Sequence, residues 1–205
     1  VDRLVGSEMC IRDRIHPDFN SNKLIYLAYS DPFGRRKGFT SIGRGVLDNN
    51  SLKNFETIYR VSVEHATSKP YHFGSRIVFD DDNFLYFSIG DRGERDEAQL
   101  LSTPNGKIHR LYDDGEVPSD NPWFGKIGHI QSIWTYGNRN PQGMAIHPIT
   151  RQIWSVEHGP RGGDELNLIK KGINYGWPVI TYGINYSGTK ITDITEKEGM
   201  EQPIW

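Results

Sequence analysis

Two polar segments carry the densest set of groups able to do chemistry: Gly137-Asn138-Arg139-Asn140-Pro141-Gln142-Gly143, and Glu157-His158-Gly159-Pro160-Arg161-Gly162-Gly163-Asp164-Glu165 after it. The first sets a guanidinium fork and primary amides beside Gly and Pro, which suits fixed recognition of a planar ligand bearing several carboxylates or carbonyls. The second combines carboxylates with a Gly-Pro backbone, and backbone carbonyls are among the oxygen ligands a hard cation such as calcium accepts. By composition alone, polar turns between strands account for both segments equally well. The other conspicuous polar residues point to structure. His16 and His147 both precede Pro and read as turn or packing residues, and His158 beside Gly159 reads as structural. His65, His109 and His129 have no supporting constellation. Asp80-Asp81-Asp82 lacks the spacing of an EF-hand loop and reads as a solvated hairpin tip.

Such segments must be held by a scaffold, and the rest of the chain indicates which kind. Short apolar or alternating runs bounded by Gly, Asn, Asp and Pro dominate, and no long stretch carries a 3.6-residue apolar stripe, so the class is all-β. Strands are expected over 23–29, 40–47, 56–63, 76–79, 84–89, 107–112, 130–135, 143–147, 152–157 and 165–169. Turns are expected at 48–50, 80–83, 113–115 and 171–172. Three of these units superpose: Ile15-His16-Pro17-Asp18, Val78-Phe79-Asp80-Asp81 and Ile146-His147-Pro148-Ile149 each lead through a polar turn into a strand carrying an aromatic residue. They start 63 and 68 residues apart. That period fits a four-stranded propeller blade with long loops, so about three blades of a larger ring are expected; a Greek-key sandwich is the alternative. A propeller would bring loops of successive blades around one central pocket. The five tryptophans are expected mainly as packing between blades.

Composition narrows the partners. The 205 residues carry a net charge of −2, with 24% charged and 36% hydrophobic residues, which favours one globular domain and gives no electrostatic footprint for nucleic acid. No apolar run is long enough to span a membrane. Residues 4–13, Leu-Val-Gly-Ser-Glu-Met-Cys-Ile-Arg-Asp, resemble an in-frame translation of a sequencing-library adapter. Residues 1–14 are therefore set apart from fold reasoning, leaving 15–205 as a fragment of one propeller domain, truncated at both ends, and the single Cys10 says nothing about redox compartment.

The two polar segments, taken with Ile89-Gly90-Asp91-Arg92-Gly93, Asn105-Gly106-Lys107-Ile108, Asn174-Tyr175-Gly176-Trp177-Pro178 and Tyr182-Gly183-Ile184-Asn185-Tyr186-Ser187-Gly188, strongly resemble the glucose/sorbosone dehydrogenase family. Within it the chain is most similar to the soluble aldose sugar dehydrogenases that use pyrroloquinoline quinone (PQQ). The resemblance runs from about Ile15 to Trp205. It implies a partial six-bladed β-propeller, bound PQQ and calcium, and a periplasmic or otherwise exported enzyme. The implied activity is oxidation of an aldose at its anomeric carbon to a lactone, with electrons passed to a quinone or other external acceptor.

The resemblance also implies roles residue by residue. His72, in Pro70-Tyr71-His72-Phe73-Gly74-Ser75-Arg76, matches the general base; Tyr71 stands where some members have an Asp, so the group that orients His72 is left unidentified. Arg139 and Asn140 match cofactor contacts, with Arg139 beside the quinone carbonyl that gains negative charge. Gln142 matches the same motif, either as a contact or as a turn residue. Gly159 and Pro160 match carbonyl ligands of the active-site calcium, Glu165 and Tyr175 match a second, structural calcium, and Tyr186 to Gly188 match a segment near the cofactor. The alternative functions are a calcium-dependent propeller lactonase or hydrolase, which would need a cage of side-chain carboxylates and amides, and a noncatalytic propeller that binds carbohydrate or protein. The absence of a Rossmann glycine fingerprint argues against nicotinamide. The chain by itself, with its propeller unclosed, is expected to be inactive.

Overall fold

A computed structural model describes residues 12–205. Eleven strands form three antiparallel sheets. The first contains β1 (Arg12–Ile15), β2 (Leu24–Phe33), β3 (Lys37–Asp48) and β4 (Ser51–Tyr59) in sequence order. The second contains β5 (Ile77–Phe79), β6 (Leu85–Ile89), β7 (Lys107–Leu111) and β8 (Ile133–Tyr136), also in sequence order. In the third, β9 (Pro141–Ile146), β10 (Ile153–Glu157) and β11 (Glu165–Leu168) follow one another. Beyond β11, Leu166 bonds to the backbone of Ile204 and Trp205, which extends the ladder. The first strands of the sheets adjoin one another, β5 packing against both β1 and β9. Three sheets thus fan out from a shared inner edge as an open arc of a β-propeller, and the three superposed sequence units are the first hairpin of each blade.

The period-2 alternation of side chains builds this arc. On β5 and β6, Ile77, Phe79, Leu85, Phe87 and Ile89 face the first sheet and pack with Tyr26, Ala28 and Ile42. Their neighbours Val78 and Tyr86 face the other way and pack with Ile108, Met144, Ile153 and Ile169. The central blade is therefore apolar on both faces. By contrast β4 is mostly exposed, with Tyr59 at its end packed against the core.

All ten expected strands are present, with shifted ends. The strand expected at 56–63 runs from Ser51 to Tyr59, because Asn49 and Asn50 take left-handed φ values of +46° and +62° and close the β3–β4 hairpin tightly. Val63–His65 is instead a 3-10 turn. β8 starts at Ile133, later than expected, after a run of turns. β1 was not expected; Arg12–Arg14 fall in the stretch read as adapter, and the structure pairs them with Tyr26–Ala28 of β2. Residues 1–11, Cys10 included, lie outside the described residues. Among those described, no helix is long and apolar enough to cross a membrane.

The hairpins fix where chemistry can sit. The entries to β5 and β9 and the exits from β6 and β10 all lie at one end of the blades, because each pair is antiparallel. His72, Asp91, Arg139 and His158 are on these connections. The opposite end holds the tight turns: His16 and His147 accept backbone N–H groups of their own turns, the turn role expected, while Asp81, expected only as part of a solvated hairpin tip, is exposed and also pairs with Arg151 across two blades.

Candidate active site

The loop before β5 is built from unusual backbone. His72, Gly74 and Ser75 all have positive φ, with His72 at +59°. A non-glycine residue in that region costs stability and must be held by its surroundings. Arg92 does much of the holding: its Nε donates to the Tyr71 carbonyl at 3.1 Å, its Nη2 to Lys69 O at 2.7 Å, and its guanidinium lies 3.6 Å from the Phe73 ring centroid. Gly90 is required on the facing loop, since a Cβ there would collide with the His72 carbonyl.

This backbone aims the imidazole at a buried carboxylate. His72 Nδ1 lies 2.6 Å from Asp91 Oδ1, and Asp91 is fully buried. Asp91 Oδ1 also accepts the Gly93 N–H at 2.7 Å, and Oδ2 accepts the indole N–H of Trp177 at 2.8 Å. With Nδ1–H donating to Asp91, Nε2 is left as the lone-pair nitrogen, and the ring is fixed in tautomer and direction. Asp91 is thus the orienting group that sequence reasoning left unidentified. Its signal was present in Ile89-Gly90-Asp91-Arg92-Gly93, directly after an inner strand. Trp177, expected as blade packing, is corrected to a site residue that bonds Asp91; Trp205, also expected as packing, stands exposed.

Arg139 approaches from the third blade. It is 7% exposed, its guanidinium donates to the His158 carbonyl at 2.8 Å and lies 5.4 Å from the Trp177 ring, and its buried Nε has no partner. Its backbone is held by Glu157 at the end of β10. Glu157 Oε2 accepts the N–H groups of Arg139 at 2.5 Å and Asn140 at 3.3 Å, while Oε1 accepts the side-chain amides of Asn138 and Asn167 at 3.0 and 3.2 Å. Burial pushes the Glu157 carboxyl up while these bonds oppose the rise. From this anchored turn the Arg139 carbonyl accepts the Asp91 N–H at 2.7 Å, and Asn140 Oδ1 accepts the Gly74 N–H at 3.2 Å. The arginine loop and the histidine loop are therefore bonded to each other.

His72 and Arg139 share a cavity of about 380 Å³ with Tyr71, Asp91, Gly93, Arg95 and Tyr186. The remaining residues singled out from the sequence lie around it or apart from it. Asn140 is buried behind it, joining the two loops. Gln142, on β9, gives its carbonyl to Arg76 Nε at 3.2 Å. Gly188 closes an exposed turn with Asn185 at 2.8 Å. Gly159 and Pro160 adjoin the cavity through His158; Gly159 donates to Asp164, and the Pro160 carbonyl accepts Gly163 N–H at 2.9 Å. Glu165 lines a separate cavity of about 370 Å³ with Asp164 and Tyr182. Burial and the charge of Glu157, its partner across the β10–β11 ladder, push it up to about 8. The Tyr175 hydroxyl is already engaged, donating to Leu168 O at 2.6 Å, which leaves its carbonyl as the atom able to meet a cation.

These groups can be tested against the cofactors that the resemblance implies. The Arg139 guanidinium and the His72 imidazole line the inner wall of the cavity, and the one carboxylate among its lining residues is consumed by hydrogen bonds, so these donors suit an anionic planar quinone. The unpartnered Arg139 Nε adds a buried donor. Gly159 and Pro160 supply carbonyl oxygens, which suit calcium, and Gly159 admits no side chain because a Cβ would meet Gly163 O. Among the described residues no cluster of three or more His, Cys, Asp and Glu side chains could hold a metal.

Comparison with known proteins bears on the same region. The sequence model of the Glucose / Sorbosone dehydrogenase family matches residues 13–205. Aldose sugar dehydrogenase YliI of Escherichia coli K12 is 44% identical over 193 residues, covering 92% of this chain and 52% of the relative. Quinoprotein glucose dehydrogenase B of Acinetobacter calcoaceticus is 36% identical over 187 residues, covering 80% of this chain and 38% of the relative. Among solved structures, the apo form of the soluble aldose sugar dehydrogenase of Escherichia coli superposes with a TM-score of 0.90 at 42% identity, over 94% of this chain and 56% of that one. The PQQ-bound aldose sugar dehydrogenase of Streptomyces coelicolor gives 0.75 at 27% identity, over 97% of this chain and 54% of that one. The chain thus spans about half the length of curated relatives that it matches at 44% and 39% identity.

Proposed function

Because this chain belongs to the glucose/sorbosone dehydrogenase family, we propose that its protein oxidises an aldose at the anomeric carbon, with His72 as the general base. The observation that carries this reading is the His72–Asp91 bond of 2.6 Å at the edge of a cavity that also receives the Arg139 guanidinium. Nε2 of His72 takes the proton of the anomeric hydroxyl, and Asp91 stabilises the imidazolium that results. As the proton leaves, the anomeric C–H bond breaks with its electron pair and the ring carbon becomes the carbonyl of a lactone. PQQ, when bound, would supply the two-electron acceptor for that hydride, and calcium a Lewis acid to polarise it.

Arg139 would sit against the region that gains negative charge, where a fixed cation favours the transition state over the ground state. Asn140 would hold the two loops in register, with Gln142 and the Tyr186–Gly188 turn flanking the cofactor. Gly159 and Pro160 would hold the active-site calcium through their carbonyls, and Glu165 with the Tyr175 carbonyl a second, structural one. An exported, periplasmic setting and electron transfer to a quinone or other external acceptor belong to the same reading.

The test uses the full-length gene product supplied with calcium and PQQ, following dye reduction with a panel of aldoses. Aldose-dependent reduction is expected, and His72→Ala should lower kcat on the order of 10²–10⁴-fold while the protein still takes up quinone. Quinone uptake without dye reduction by any sugar defeats the dehydrogenase reading. A His72→Ala protein with full turnover removes His72 from the mechanism.

A further inference from the structure

The cavity holds a second guanidinium besides Arg139, and we infer that this residue, Arg95, is a sugar-contacting residue that sets substrate affinity at the cavity mouth. The inference rests on the aldose reading above and adds a residue to it.

The two arginines stand at different depths. Arg139 is buried, whereas Arg95 is exposed at the rim, and their guanidiniums lie 5.4 and 5.6 Å from the Trp177 ring centroid. Arg95 is held by neutral groups: its Nη2 donates to Asn185 Oδ1 at 2.7 Å, its charge lies near the indole, and no carboxylate pairs with it among the described ion pairs. Asp91, the carboxylate of the cavity wall, is occupied by His72, Gly93 and Trp177. The remaining N–H donors of Arg95 are thus available to a ligand.

The rest of the rim matches the same kind of ligand. Tyr71 and Tyr186 are 42% and 74% exposed and line the cavity with Arg95. A pyranose presents hydroxyls around its edge and C–H groups on its faces, so aromatic rings beside a planar donor fork complement it, and the fork can reach two adjacent hydroxyls. His72 is less exposed than Arg95 in the same cavity, so a sugar whose anomeric hydroxyl meets His72 Nε2 and whose ring extends toward solvent would present its far hydroxyls to Arg95. Contacts that far from the reacting carbon strengthen ground state and transition state alike, so they act on KM.

The experiment compares Arg95→Ala, Arg95→Lys and Asn185→Ala in the full-length gene product loaded with PQQ and calcium. Arg95→Ala should raise KM for glucose about tenfold, the effect of losing a charged hydrogen bond, with kcat and PQQ affinity within about twofold of wild type. PQQ affinity is read separately, by tryptophan fluorescence of the cofactor-free protein. Arg95→Lys should recover part of the loss, and Asn185→Ala should raise KM less than Arg95→Ala. An unchanged KM overturns the inference. So does a fall in PQQ affinity, which would make Arg95 a cofactor contact, or an Asn185→Ala effect equal to that of Arg95→Ala, which would make it only a tether for the Tyr186 turn. Wild-type protein that oxidises no aldose defeats the functional reading itself; wild-type turnover with unaffected variants defeats only the assignment of Arg95.

Discussion

A strained histidine pointing at a buried acid is the smallest unit that explains the site. His72 keeps its φ of +59° because Arg92, Gly90 and Asn140 hold the loop around it, and that backbone directs Nδ1 at Asp91. Asp91 accepts three hydrogen bonds with no exposure to water, so its charge is stabilised by fixed donors. Asp91→Asn keeps the shape but places an NH₂ against a donor and removes the negative charge facing the imidazole. In the full-length gene product this substitution should lower kcat on the order of 10²–10⁴-fold, with quinone uptake retained. A variant that loses activity only in proportion to unfolded protein, as read by thermal melting, would show that Asp91 serves the fold alone. His72 was a candidate from the sequence because its segment matches the one that holds the general base in the family the chain resembles. Asp91 was not assigned, since its partnership joins residues 19 apart in the chain and exists only once the loops meet.

At the level of the elements, β7 shows how much polar chemistry the blades bury for structural reasons. Lys107 and His109 are both fully buried on this strand. The Lys107 ammonium donates to the carbonyls of Glu97, Ala98 and Asn105, which ties β7 to the 3-10 turn carrying Arg95, although burial pulls it down to about 7. His109 stacks on Phe87, donates to Pro104 O through Nε2 and bonds the Ser132 hydroxyl through Nδ1, where the hydroxyl can donate to a neutral ring. Burial pulls His109 down to about 3 from an ordinary 6.5. Between those values the unfolded chain binds a proton that the folded one does not, so stability is complete above pH 6.5 and is lost as pH falls toward 3. The slope from this one residue is about 1.4 kcal/mol per pH unit. Urea unfolding at pH 7 and pH 5 should differ by roughly 2 kcal/mol on that account. His109→Gln should flatten the difference; an identical pH dependence in the variant would assign the effect to other groups.

At the scale of the whole molecule, the central blade is the one packed on both faces. Phe87, fully buried between the first and second sheets, has Tyr59 and His109 against its ring. Phe87→Ala should cost about 3–5 kcal/mol, measured by denaturant unfolding, because the sheets on either side restrain collapse around the void. A cost below about 1 kcal/mol would mean that the first blade is only loosely docked.

The sequence by itself determined the all-β class, the three blade units and the family, because alternation, turn residues and local motifs are properties of short stretches of chain. It also identified His72 and Arg139 as candidates from the motifs around them. Tertiary structure alone decided which groups those two residues meet. Asp91 behind the imidazole, Glu157 beneath the arginine loop and Trp177 near two guanidiniums are side-chain partnerships made where separate loops converge, and no local pattern encodes such distances. It also separated Glu165 and Tyr175 from the central cavity and brought Arg95 to its mouth. The physical reason is the radial packing of the blades: the spacing of residues along the chain says little about which loop ends share an axis until the sheets have packed face to face.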